Sequence, residues 1–242
     1  MVFSVRMFEP DFQILCEDGP VLVVNKPPGL PTQAPPGIES LETRIKAFLK
    51  ARDNPPHDVY LGVPHRLDRP ASGAMVFATR RRTTQKLAKQ FEYREVKKLY
   101  WACVEGRVDP IEGTWQDHLW KVYGKPQAEV VPADHPEGRL AVLHYRTLTV
   151  GPWGTWLEIT LETGRTHQIR VQAASRGYPV LGDSQYGAKT PFGPHYEDER
   201  LRAIALHART LEFVHPGHKQ AVSFTADPPD FWPTIEGSSP VA

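Results

Sequence analysis

The sequence predicts an α+β fold, a single catalytic domain on a large mixed, mainly antiparallel β-sheet with flanking helices. Two observations lead there. From Gly113 to Leu161 the chain is a succession of short strand-like segments broken by turn residues. Against these stand only three stretches with a convincing helical apolar period.

Taken in order, Phe12 to Cys16 and Val21 to Asn25 read as a hairpin around the turn dipeptide Asp18-Gly19. Lys26-Pro27-Pro28-Gly29 ends its second strand, and a Pro-rich connector runs from Pro31 to Gly37. Ser40 can cap a helix with Leu41, Ile45, Phe48 and Leu49 on one face, ended by Asp53 to Pro56. Val59 to Val63 and Ala74 to Ala78 read as two short strands. A second helix is predicted from Arg81 to Tyr93, with Thr84, Leu87, Ala88 and Phe91 inward and Arg82, Lys86 and Lys89 outward. Lys98 to Val104 alternates as a strand, with Leu99, Trp101 and Cys103 on one face and Tyr100, Ala102 and Val104 on the other. Thr114 to Val122, Ala128 to Val131, Leu140 to Val150 and Thr155 to Leu161 supply the central sheet. Thr166 is the expected N-cap of a third helix carrying Ile169, Ala173 and Ala174, stopped by Gly177. Ala203 to Val214 and Ala221 to Thr225 close the chain as a strand pair, followed by a weak tail beyond Trp232.

The 242 residues are 40% hydrophobic and 24% charged, ordinary for a soluble folded chain, and the length suits one large domain. No apolar run approaches membrane-spanning length. The start, MVFSVRMFEPDF, lacks the basic region and apolar stretch of a signal peptide, so a cytoplasmic location is expected. Cys16 and Cys103, far apart and within apolar stretches, read as reduced core residues. The ten histidines are scattered, with neither CxxC nor HExxH, and no metal site is expected. The absence of GxGxxG and of a Walker-type loop removes sequence support for a nucleotide cofactor. Any chemistry must come from side chains.

The net charge of +1 does not announce a polyanion partner, but its distribution is uneven. From His65 to Arg107 there are eleven Lys/Arg against four Asp/Glu, a local excess of seven positive charges. Inside this basic region lies GVPHRLDRPASGAMVFA, Gly62 to Ala78, where one carboxylate, Asp68, sits among His65, Arg66 and Arg69. Pro64, Pro70 and Ser72-Gly73 mark irregular backbone, so Asp68 is expected on a loop held by strands. An ionised carboxylate there can act as a nucleophile. From the residues alone, a surface ion pair beside a turn explains the same pattern equally well.

HRLDRPASG resembles the HRLDxxTSG signature of the RluA-type pseudouridine synthases, which convert selected uridines of ribosomal or transfer RNA into pseudouridine. The resemblance implies the pseudouridine synthase fold with its central cleft, and it puts the nucleophile on Asp68. Ala71 departs from the usual Thr. VLVVNKPPGL resembles the first family motif and implies that Lys26 lines the cleft. KKLYWACVEG resembles KxYxAxVxG, whose Tyr packs on the target base, here Tyr100. LETGRTHQIRVQ and PVLGDSQYG resemble TGRTHQIRVH and PxxGDxxYG, and the arginine that pairs with the catalytic acid becomes Arg170. Gln172 stands where the family commonly has His. ALHARTLEFVHP resembles LHAxxLxFxHP and implies Leu206 behind the base. The resemblance covers about Asp18 to Pro228 and leaves no room for the extra N-terminal RNA-binding domain of some relatives.

What the resemblance implies is an isomerase acting on structured rRNA or tRNA by base flipping, as a monomer without cofactor or metal. Arg66 would enter the space left by the flipped nucleotide, and exposed cations including Arg80, Arg81 and Arg82 would meet phosphates. Two other classes stay open. A non-catalytic RNA-binding module needs the basic patch but not the acid. A hydrolase with an aspartate nucleophile needs a positioned water and a His or acidic partner, and none is evident beside Asp68 in the sequence.

Overall fold

The computed structural model of the protein describes residues 10–233. The readings made on the first nine residues and on the tail fall outside that range. Its elements are β1 (Gln13–Asp18), β2 (Val21–Lys26), α1 (Leu41–Asp53), β3 (Ser72–Ala78), α2 (Arg81–Glu92), β4 (Lys97–Val104), β5 (Glu112–Lys121), β6 (Ala128–Val131), β7 (Arg139–Gly151), β8 (Gly154–Leu161), α3 (Gln168–Ser175), β9 (Leu206–Val214) and β10 (Ala221–Thr225). Among the described residues, the strands form one sheet in the order β1-β2-β3-β9-β4-β8-β7-β5-β6, with β10 on β9. Every pairing is antiparallel except β3 with β9, so the sheet is mixed and mainly antiparallel as expected. No helix among these residues is long and apolar enough to cross a membrane.

The near-continuous apolar runs of β2 and β3 follow from burial on both faces. Leu22, Val24, Met75 and Phe77 pack with Leu41, Ile45, Phe48 and Leu49 of α1. Val21, Val23, Ala74, Val76 and Ala78 point the other way, onto Leu87 of α2 and Phe213. Ser40 caps α1 through a capping box with Thr43. The second half of the sheet has its own core around Trp115, Leu143, Trp156, Ile159, Ile169 and Ala173.

The two halves meet where β3 crosses β9, paired only at Ser72–His207 and Gly73–Ala208. A Cβ on Gly73, whose φ is +120°, would lie 2.4 Å from the Ala208 carbonyl oxygen, so this approach requires glycine. Beside it the Ser72 hydroxyl donates to His207 Nδ1 at 2.9 Å, and His207 Nε2 donates to the Ala226 carbonyl at 2.9 Å. Ser72, Gly73 and His207 therefore weld the joint beside the Asp68 loop. Tyr100 packs against the cores of both halves.

Three local expectations are corrected. Val59 to Val63 forms no strand and contributes a single bridge from Gly62 to Ala78, since Pro64 follows immediately and cannot donate to a ladder. The fully buried line of α2 is Thr83, Leu87 and Gln90, with Thr84, Ala88 and Phe91 half-buried. It is rotated because the Gln90 amide exchanges two 2.8 Å hydrogen bonds with the Val214 backbone. Thr166 does not cap α3. The cap residue is His167, left-handed at φ 53°, and the Gln168 side chain instead accepts from Arg165 N at 3.0 Å.

Candidate active site

Asp68 lies on irregular backbone between Gly62 and β3, half-buried, as the sequence led us to expect. Its loop is fixed from below. Lys26 Nζ donates to the carbonyls of Pro27, Arg69 and Ala71 at 2.9, 3.1 and 2.7 Å, matching three N–H groups to three acceptors. The Thr32 hydroxyl donates to Leu67 O at 2.9 Å and accepts from Leu67 N at 3.2 Å, while Gly29 N donates to Arg69 O at 2.9 Å. Lys26 is fully buried, which corrects its expected place on the cleft wall: it braces the loop and meets no solvent. Burial pushes its amine down to about 7, against the pull of Asp68 and with the push of Arg69.

Arg170 reaches the same carboxylate from α3. Its Nη1 donates to Asp68 Oδ2 at 3.1 Å, across the hundred residues that separate them in sequence. Its firmer partner is Asp183, which accepts from Nε at 2.6 Å and Nη2 at 2.8 Å, and Nη2 also reaches Gln185 Oε1 at 2.9 Å. Burial works against the guanidinium charge, and Asp183 and Asp68 outweigh it and raise its pKa. The Tyr186 ring covers the guanidinium at 4.9 Å. Asp183, Gln185 and Tyr186 all fall in the GDSQYG run, whose individual side chains sequence reasoning left without roles.

His167 was missed as well. Its Nε2 lies 3.7 Å from Asp68 Oδ1, so a histidine does stand beside the acid. Tyr186 Oη accepts from Ala128 N at 2.9 Å and contacts His167 Nδ1 at 2.8 Å. Burial lowers the His167 pKa, with Asp68 opposing and Arg170 adding to the shift. At 3.7 Å the imidazole makes no hydrogen bond to Asp68, which leaves Asp68 Oδ1 open to the cleft.

A cleft of about 560 Å³ opens over Asp68, with Tyr100, Leu206, Ile169 and Ala71 as apolar wall and Arg66, Lys98 and Arg165 as cations. Burial, then the Asp68 charge, raises the Tyr100 phenol pKa, keeping it protonated. A second cleft of about 900 Å³ shares Arg66, Asp68, His167 and Arg170 and continues past Arg69, Lys121, Lys125 and Lys189. Arg66 is exposed and borders both. Arg80, Arg81 and Arg82 are exposed but border neither, because β3 carries the chain away from Asp68 before α2 begins. Gln172, the departure from the family motif, donates to Trp115 O at 3.2 Å and Asp117 Oδ2 at 2.7 Å and so ties α3 to β5.

Elsewhere, three potential metal ligands do converge: Asp18, His215 and His218 place ligand atoms within 4.8 Å of one another. The two rings stack 4.0 Å apart at 9°, and both Nδ1 atoms accept backbone N–H groups. The His215 and His218 Nε2 atoms lie 3.7 and 3.4 Å from Asp18 Oδ2, and His215 Nε2 is left without a hydrogen-bond partner.

Residues 20–175 match the RNA pseudouridylate synthase family. The chain is 37% identical over 224 residues to ribosomal large subunit pseudouridine synthase D of Xanthomonas campestris, covering 90% of this chain and 66% of that protein. It is 32% identical over 213 residues to ribosomal large subunit pseudouridine synthase C of Buchnera aphidicola, covering 88% and 66%. The chain thus spans just under two thirds of the length of these curated relatives. The solved structure of human RNA pseudouridylate synthase domain containing 4 superposes with a TM-score of 0.73 at 24% identity, covering 90% of this chain and 89% of that one, a likeness of fold. The family match over most of the sheet, and these relatives at more than 30% identity, give the residues around Asp68 their context: the chain belongs to the RNA pseudouridylate synthase family.

Proposed function

We propose that this protein is an RNA pseudouridine synthase, a single catalytic domain acting as a monomer in the cytoplasm on uridines of structured ribosomal or transfer RNA. The observation that carries the proposal is Asp68 itself: a carboxylate held by Arg170 at 3.1 Å in a cleft walled by Tyr100 and Leu206.

The reaction breaks the bond from C1′ of the ribose to N1 of uracil and joins C1′ to C5. C5 loses its proton and N1 gains one, so atoms and electrons balance without a cofactor. Asp68 is the nucleophile, toward the sugar or the base, or assists removal of a sugar proton. Extruding the base costs a few kcal/mol, and stacking on an aromatic ring returns roughly 1 to 3 kcal/mol. Tyr100 supplies that ring, Leu206 the apolar wall behind the base, and Arg66 a cation for the vacated helix.

The names of the relatives favour ribosomal RNA. Pseudouridine mapping of ribosomal and transfer RNA from cells with and without the gene tests the proposal. A uridine that converts only when the gene is present, and converts in vitro with purified protein, supports it. RNA binding without any mass-neutral conversion supports a binding module instead, and RNA fragments a hydrolase.

A further inference from the structure

We propose that the hairpin joining β5 to β6 grips the RNA strand beside the target uridine, with Tyr123 stacking on a base and Lys121 and Lys125 meeting phosphates. The inference rests on the reading of the protein as an RNA-modifying enzyme and adds a contact that fixes which strand enters the site.

Tyr123 stands at the hairpin tip and is 94% exposed. A single exposed aromatic is common on protein surfaces, but this one stands between two lysines that border the cleft over Asp68. Lys121 and Lys125 border the same 900 Å³ cleft as Asp68 and Arg170, and neither forms an ion pair with another described residue. An aromatic face between two ammonium groups fits bases on a phosphate backbone.

The hairpin is also tied to the reacting centre. Its tip is closed by Val122 N to Gln127 O at 3.0 Å, and Pro126 O accepts from Gln185 Nε2 at 2.7 Å. The same Gln185 accepts from Arg170 at 2.9 Å, and Ala128 N donates to Tyr186 at 2.9 Å. Arg170 and the hairpin therefore share one hydrogen-bonded frame, so a strand held by Tyr123 is held at a set position relative to Asp68.

The experiment first identifies a uridine converted by the wild-type protein in RNA from cells lacking the gene, and then uses a transcript of that stem-loop as probe. Tyr123→Ala should raise KM at least about fivefold, and Tyr123→Trp should restore it. Lys121→Gln with Lys125→Gln should lower the slope of log affinity against log salt by about 1.4. Trimming the nucleotides that flank the target should erase the difference between wild type and Tyr123→Ala. An unchanged KM in Tyr123→Ala overturns the inference while the wild-type conversion leaves the proposed function standing. So does a change from dimer to monomer in sedimentation without a change in KM, which assigns Tyr123 to a contact between copies. If the wild-type protein converts no uridine in any RNA, the proposed function falls and the hairpin assignment with it.

Discussion

Arg170 gives Asp183 two hydrogen bonds, at 2.6 and 2.8 Å, and gives Asp68 one, at 3.1 Å. Asp183 is 2% exposed and has no other role in the cleft, so the order of support runs from Asp183 through Arg170 to Asp68. The proposed nucleophile is left with one firm partner and one open oxygen, which suits the role proposed for it.

Arg170→Met should therefore do two things. Turnover should fall about a hundredfold or more, because Asp68 loses its charged donor. Stability should fall by about 3 to 5 kcal/mol, because Asp183 becomes an uncompensated buried charge. Adding Asp183→Asn should recover most of the stability and none of the turnover. Denaturant unfolding and single-turnover conversion separate the two effects, and recovery of both by the double variant would assign Arg170 to folding alone.

The sheet was legible in the sequence because its two periods are clean: β2 and β3 are apolar on both faces, and the strands from Glu112 onward alternate. The pairing of Arg170 with Asp68 was legible only through family resemblance, since no local pattern links residues on different elements. Lys26 misled for a physical reason. Its place on the cleft wall was implied by the family motif, and only the fold shows three backbone carbonyls converging on its ammonium group. For the run Arg80 to Arg82 the charge density was visible in the sequence, while the direction in which β3 leads it away from Asp68 was not. His167 and Asp183 were present in the quoted motifs, but their roles depend on Tyr186 and Arg170 meeting them in space.

Asp68→Asn should fold as the wild type does and bind RNA, yet convert no uridine. The amide keeps the shape and can still meet Arg170 through its oxygen, but it loses the nucleophilic charge. Mass-neutral conversion by this variant at a rate near wild type would remove Asp68 from the mechanism.

Tyr100→Phe should bind RNA nearly as well and react more slowly, since the ring that stacks on the base survives and the phenol does not. A loss of about tenfold in kcat with KM nearly constant is the expected pattern. Equal rates would reduce Tyr100 to packing between the two cores.

Salt dependence should follow the cleft rather than the charge run. Arg66→Ala should lower the slope of log affinity against log salt by about 0.7 to 0.9, the share of one phosphate contact. Arg80→Ala should leave the slope unchanged, because Arg80 borders neither cleft. The reverse pattern in filter-binding titrations would move the RNA track onto α2.

His207 should make the joint between the two halves sensitive to acid. The ring is fully buried, accepting from Ser72 and donating to the Ala226 carbonyl, and burial pushes its pKa down to about 4. Its ordinary value is about 6.5. Above pH 6.5 the ring is neutral in both the folded and the unfolded chain, and its contribution to stability is fully present. As pH falls from 6.5 toward 4, the unfolded chain takes up a proton that the folded chain refuses, so stability drops by about 1.4 kcal/mol per pH unit. Between pH 7.5 and pH 5.0 this residue should therefore cost about 2 kcal/mol. His65, pushed down to about 3 by burial and then by the Lys98 charge, adds a second loss of the same sign. His207→Gln keeps a donor for Ala226 but no titrating group, so denaturant unfolding should show it losing about 2 kcal/mol less than wild type over that range while retaining the loss from His65. Equal losses in the two proteins would mean that His207 takes its proton in the folded state, and the weld between Ser72 and His207 would then have to open without cost.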